Sequence, residues 1–132
     1  MRRHSISLKR VYETPSASDG TRVLVDRLWP RGLSRHRVSA DLWLRDAAPS
    51  PGLRRWFGHD PARWRRFSRR YRGELARQPE VLELLDDLRR RARVTLIFGA
   101  RDPAHSHAVV LRDVLDRSAW RSPSPRKRVR RR

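Results

Sequence analysis

The stretch from Arg22 to Gly32, Arg-Val-Leu-Val-Asp-Arg-Leu-Trp-Pro-Arg-Gly, constrains the fold of this chain more than any other. Val23, Leu24 and Val25 form an unbroken, mostly β-branched run, too short for a helix and suited to a buried strand. The pattern then changes at once. Asp26, Arg27, Trp29 and Arg31 crowd together, and Pro30 and Gly32 end any regular structure. A buried strand that discharges polar and aromatic groups into a stiff turn is how α/β proteins build sites. The stretch therefore predicts a fold class and the position of a site together.

Two further segments read as strands. Ile6 to Tyr12 alternates apolar and polar residues, and Val94 to Phe98 is a second apolar, β-branched run. Glu13 to Thr21 holds Pro15, Ser16, Ser18, Asp19 and Gly20, which is turn chemistry. That connection is shorter than an ordinary helical crossover. It predicts that strands one and two are antiparallel neighbours, with a compressed crossover as the alternative.

Helix signals fill the rest. Ser39 or Asp41 can start a short helix through Leu42, Trp43 and Leu44, closed by Pro49. Ser50-Pro51 opens a helix that carries Leu53, Trp56 and Phe57 and stops at Gly58. After Asp60-Pro61, Trp64, Phe67, Tyr71 and Leu75 make one apolar stripe, and Arg63, Arg65, Arg66, Arg69, Arg70 and Arg72 occupy the other face. Pro79 opens a helix with Val81, Leu82, Leu84, Leu85 and Leu88 inward, and Asp102-Pro103 starts a last one that runs to about Asp116. The expectation is an α/β fold: one small domain over residues 1–118, with a short sheet of about three strands flanked by several helices.

Composition narrows the class. The chain of 132 residues has room for one core, and with no cysteine it has neither disulfides nor thiolate metal ligands. Met1 to Arg10 lacks the apolar segment of a signal peptide, and no apolar run is long enough for a bilayer, so a soluble cytoplasmic protein is expected. The net charge is +19, from 33 basic against 14 acidic residues. Part of that excess is local: Arg121 to Arg132, which includes Ser122-Pro123-Ser124-Pro125, carries seven basic residues and no acid. Residues 119–132 are expected to form a disordered basic tail, capable of weak contact with nucleic acid. Nearly all the basic residues are Arg, a skew that GC-rich codon usage produces without any binding role.

Candidate site residues cluster where apolar strands end. Asp26, beside Arg27, can orient a substrate hydroxyl or act as a base, or it can simply be a paired ion that fixes the turn. Arg31 can present a fork to phosphate or carboxylate, and Trp29 can stack on a ring or cover the core. Arg101-Asp102 stands at a helix start, where first-turn amides hold an anion or Asp102 caps them. His107 can serve as acid or base, and His59 is a turn residue with a possible substrate contact. His105 and His107 lie two apart on a helix and diverge, whereas a zinc pair wants a spacing of four, so no metal is expected.

Leu8-Lys9-Arg10-Val11-Tyr12, Asp19-Gly20, Arg22 through Gly32, Trp56-Phe57-Gly58-His59-Asp60, and Ala100-Arg101-Asp102 with His107 resemble the YeaO-like family of bacterial domains. The resemblance covers residues 6 to about 116 in order, and Asp-Arg-Leu-Trp-Pro-Arg-Gly is its specific string. Phe98-Gly99 departs from it, since the family more often has an alanine-like residue after the aromatic. The resemblance implies an α/β fold in the cytoplasm and supplies no reaction.

The residues themselves favour a small-anion site, phosphate- or nucleotide-like, with Arg27, Arg31 and Arg101 as clamps. Trp29 and His59 would be contacts, Asp26, His107 or Asp102 the acid–base groups, and no cofactor is required. The alternative is a non-catalytic module that meets nucleic acid or another partner through the Arg face and the tail. Deleting residues 121–132 is expected to leave the fold intact and to remove weak, salt-sensitive DNA binding. Thermal denaturation and filter binding at two salt concentrations check both outcomes.

Overall fold

A computed structural model describes residues 3–117 and 120. The basic tail expected over 119–132 lies outside the described residues, apart from Trp120.

Val94–Phe98 is buried along its whole length, and it takes the centre of the sheet. The strands are β1 (Ile6–Arg10), β2 (Thr21–Leu24), β3 (Leu42–Trp43) and β4 (Val94–Phe98), in the order β1-β4-β2-β3. All pairings are parallel, with Leu96 opposite both Leu8 and Val23. The sheet thus has four strands rather than about three. Strands one and two are not antiparallel neighbours, because β4 stands between them. An apolar strand with both faces to bury is most stable at the centre, and the sheet keeps that position for the last strand in sequence.

The short connection between β1 and β2 is the compressed crossover. Ser16 caps a 3-10 turn, Ala17–Asp19, through a capping box, and Gly20 returns the chain to the sheet with φ 67°. A Cβ on Gly20 would lie 2.1 Å from the Arg93 carbonyl oxygen, so only glycine fits.

Leu42 and Trp43, expected within a short helix, instead form the edge strand β3, opposite Val23 and Leu24. A three-residue apolar run carries no period, and the open edge of β2 decides its state. The helical turn comes earlier, as α1 (Arg35–Val38), capped by the Ser34 side chain. Ser39 ends that turn in a left-handed conformation instead of starting a helix.

The remaining helices follow their sequence signals more closely. They are α2 (Pro51–Phe57), α3 (Trp64–Ala76), α4 (Pro79–Arg91) and α5 (His107–Arg117). Ser50 accepts from the Leu53 amide at the start of α2, and Gly58 closes it with a left-handed residue. The stripe on α3 buries Phe67, Tyr71 and Leu75, whereas Trp64 is only half-buried. On α4, Leu84 is exposed, because Val81, Leu82 and Leu85 occupy the inward arc. The last helix begins at His107, not Asp102; Pro103–His105 is a separate 3-10 turn.

The sheet has two unlike faces. Val23, Val25, Leu96 and Phe98 join Phe67, Tyr71, Leu85 and Leu111 in the main core. Leu24 and Ile97 point the other way, onto Val11, Val38, Trp29 and Trp43. That thinner face also holds a buried polar cluster. Arg22 donates to Asp19 at 2.6 Å and to the Val38 carbonyl at 2.7 Å, while the Thr95 hydroxyl donates to the Asp19 carbonyl. Lys9 adds a second cation to the same carboxylate, 3.0 Å from Asp19.

Gly20→Ala should destabilise the domain by more than about 2 kcal/mol, since the new methyl meets backbone and the φ is unfavourable. Phe67→Ala should cost about 3–5 kcal/mol, and Trp64→Ala distinctly less, because its ring keeps contact with solvent. Urea denaturation of the three variants ranks them.

Candidate functional site

The C-terminal ends of β2 and β4 lie side by side at one edge of the sheet, and the chain leaves both in polar loops. Between these loops, α2 and the start of α5 is a cavity of about 590 Å³. Asp26, Arg27, Arg54, Arg101 and His107 stand on its wall, and Phe57, Phe67 and Pro49 supply apolar surface.

Asp26 is the hinge of this arrangement. Its Oδ2 accepts the Gly99 amide at 2.9 Å, which ties the end of β2 to the end of β4. Its Oδ1 is buried, 3.5 Å from His107 Nε2. A side chain at Gly99 would crowd Asp26, since a Cβ there lies 3.1 Å from Oδ2. Gly99 therefore stands at the site itself.

His107 Nε2 lies 2.9 Å from the Val25 carbonyl oxygen. That oxygen can only accept, so Nε2 carries the proton, and in the neutral ring Nδ1 is the basic nitrogen. The Tyr71 ring meets the imidazole edge-on at 5.8 Å, and the Tyr71 hydroxyl donates to the Ala47 carbonyl. Burial lowers the His107 pKa below its ordinary 6.5, although the Asp26 charge opposes this. Burial likewise raises the Asp26 pKa above 3.8, against the pull of His107, the Gly99 amide and Arg54.

The arginines differ in freedom. Arg27 lines the cavity, but its guanidinium donates to the Ala48 and Pro49 carbonyls at 3.3 Å, pinning the loop before α2. Arg54 and Arg101 line the cavity with exposed side chains, and among the described residues neither guanidinium makes a hydrogen bond or ion pair. Asp102 caps its own turn: Oδ1 accepts from the Ala104 amide and Oδ2 meets His105 at 2.6 Å. The His105 hydrogen bond, helped by the Ala104 amide, holds the Asp102 carboxyl below its ordinary value. His59 reaches the rim in a left-handed conformation, φ 59°, directly after left-handed Gly58.

The structure thus brings Asp26, Arg27, His59, Arg101, Asp102 and His107 to one cavity. It does not bring Trp29 or Arg31. Trp29 donates to the Leu33 carbonyl at 2.7 Å and packs against Trp43, on the thinner face of the sheet. Arg31 is exposed in the same loop, its carbonyl accepting from the Tyr12 hydroxyl. The chain crosses the sheet edge between Leu28, which lines the cavity, and Trp29, so residues close in sequence end on opposite sides. Sequence reasoning missed Arg54 and Ser106. Arg54 precedes Phe57 by one helical turn, a spacing that places both on one face. Nothing in the sequence distinguishes Ser106.

Fold and cavity together define a small parallel α/β domain with a pocket where its two central strands end. The chain belongs to the family DUF488-N3i, the inactive DUF488-N3 subclade, whose sequence model matches residues 5–128. It is 40% identical to an uncharacterised protein of Mycobacterium tuberculosis H37Rv over 88% of this chain and 98% of that one. It is 37% identical to the uncharacterised protein YeaO of Escherichia coli K12 over 84% of this chain and 96% of YeaO. No solved structure matches the chain. Among the described residues, no helix is long and apolar enough to cross a membrane, and no group of three or more metal-ligating side chains occurs.

The buried pair has a pH signature. The unfolded chain protonates His107 near 6.5 and the folded chain only at lower pH, so unfolding takes up a proton as pH falls through this window. Stability attributable to His107 is present above 6.5 and declines as pH drops toward the lowered folded value. Asp26 acts oppositely: its folded pKa lies above 3.8, so its contribution is greatest when protonated and is lost as pH rises through the folded value. His107→Gln should flatten the loss of thermal stability just below pH 6.5, and Asp26→Asn should flatten the opposite slope at lower pH. Melting curves across this range test the assignment.

Proposed function

We propose that this chain is a binding domain for a small organic anion, held in the cavity at the ends of β2 and β4. The observation that carries this reading is the pair Arg54 and Arg101: two guanidinium groups face one concave, partly apolar space without an ion-pair partner among the described residues. Arg–anion recognition at a largely preformed pocket needs little further ordering. Phe57, Phe67 and Pro49 suit an apolar or ring-bearing body.

Binding without turnover is the simpler form of the proposal. His107 Nε2 is committed to the Val25 carbonyl and Asp26 Oδ2 to the Gly99 amide, so both side chains hold the two strand ends together. The description of the matching family as an inactive subclade supports the same choice. Asp26, His107 and Asp102 then shape the pocket, with Arg101 and Arg54 as anchors, Arg27 fixing the wall and His59 on the rim.

Benzoate and phenyl phosphate are suitable calorimetric probes. At least one should bind, and Arg54→Ala or Arg101→Ala should weaken it at least about tenfold, as loss of a charged hydrogen bond does. The melting temperature should stay close to that of the parent, because neither side chain is buried. Loss of stability in both variants with binding unchanged would overturn the reading.

A second reading has its own observation. On α3, Arg65, Arg66, Arg69 and Arg70 are exposed and make no ion pair among the described residues, whereas Arg89 and Arg90 pair with Asp86 and Arg72 with Asp113. A surface of this kind suits the phosphate backbone of nucleic acid. Replacing Arg65, Arg66 and Arg69 with Gln should reduce the salt slope of duplex DNA binding; an unchanged slope removes this reading.

A further inference from the structure

Ser106 stands immediately before α5, on the cavity wall, and is 2% exposed. Its Oγ has no hydrogen-bond partner. A buried hydroxyl without a partner costs stability, so a protein that keeps one invites a search for the group that completes it. Its backbone is extended, as at a helix cap, yet its hydroxyl caps nothing; the Val109 amide donates to the Ser106 carbonyl instead. The first amides of α5, from His107 on, have no acceptor within the helix itself. The unpartnered hydroxyl and the first-turn amides thus stand together at the positive end of an eleven-residue helix, beside Arg101 and Arg54.

Resting on the anion-binding reading above, we propose that the anion is a phosphate monoester, seated on the first turn of α5 by the Ser106 hydroxyl and the adjacent amides, with Arg101 and Arg54 outside it. A carboxylate offers two oxygens in one plane. A phosphate monoester offers three terminal oxygens in different directions and close to two negative charges, which matches donors from a helix end, a hydroxyl and two arginines. The carboxylates of the pocket do not compete for these donors. Asp102 is engaged by the Ala104 amide and His105, and Asp26 is held by the Gly99 amide beside His107. The ester body would then lie along Phe57 and Phe67, within reach of the buried Asp26 Oδ1, an acceptor suited to a hydroxyl on the ligand.

The experiment compares phenyl phosphate with benzoate on the full chain and on Ser106→Ala, by calorimetry and by amide chemical shifts. Phenyl phosphate should bind more tightly than benzoate and should shift the amides of residues 106–108. Ser106→Ala should weaken phenyl phosphate about tenfold, leave benzoate unchanged, and raise rather than lower the melting temperature, because it removes an unmatched hydroxyl. Equal affinities for the two probes, with silent amides at 106–108, would overturn the phosphate assignment while leaving an anion pocket. If neither probe binds, both proposals fall. The amide shifts of the unaltered chain decide the matter even if the variant folds poorly.

Discussion

The burial of β4 on both faces is the constraint from which the rest of this structure follows. A strand with no polar side able to face water needs a layer above and below it and a neighbour on each edge. Helices α3, α4 and α5 supply one layer, and the loop carrying Trp29 and Leu33, with Val38 of α1, supplies the other. β1 and β2 supply the edges, both parallel to it. Because β4 is last in sequence, β1 and β2 must leave its place open between them. The crossover that does so is too short for a helix, and it is held by Ser16, Gly20 and the buried Arg22–Asp19–Lys9 cluster.

The same constraint creates the pocket. Parallel strands end on one side of the sheet, so the polar loops after β2 and β4 open together. Asp26 closes the junction between them by accepting the Gly99 amide, and His107 reaches it from α5. These contacts are structural and electrostatic at once. They fix the wall of the cavity, and they leave a carboxyl and an imidazole buried, each pushed toward its neutral form. On the binding reading proposed above, Asp26 and His107 serve to hold the two strand ends together.

Charge is distributed with more order than composition suggests. On α4 the arginines meet carboxylates, as Arg89 and Arg90 do with Asp86. Among the described residues, Arg54 and Arg101 at the cavity and Arg65, Arg66, Arg69 and Arg70 on α3 make no ion pair. Codon usage can supply arginines everywhere, but it cannot decide which of them receive a partner.

Local residue chemistry alone determined most of the elements. The β-branched runs mark the central strands, and Ser50-Pro51 and Gly58 bound α2. The Phe67, Tyr71 and Leu75 spacing orients α3, and Asp26 and Arg101 mark the strand ends where the cavity lies. Each of these signals acts within a few residues, so it survives in one dimension. The sequence did not determine partners. Whether Leu42-Trp43 is helix or strand depends on the free edge of β2, and whether β1 and β2 touch depends on β4, some seventy residues later. Trp29 and Arg31 were separated from Asp26 by a bend at Arg27–Leu28 whose direction no local rule specifies. Arg54 and Ser106 gained their places only when α2 and α5 packed over the same sheet edge. These outcomes are set by long-range packing free energy, to which adjacent residues in the chain contribute almost nothing by their order alone.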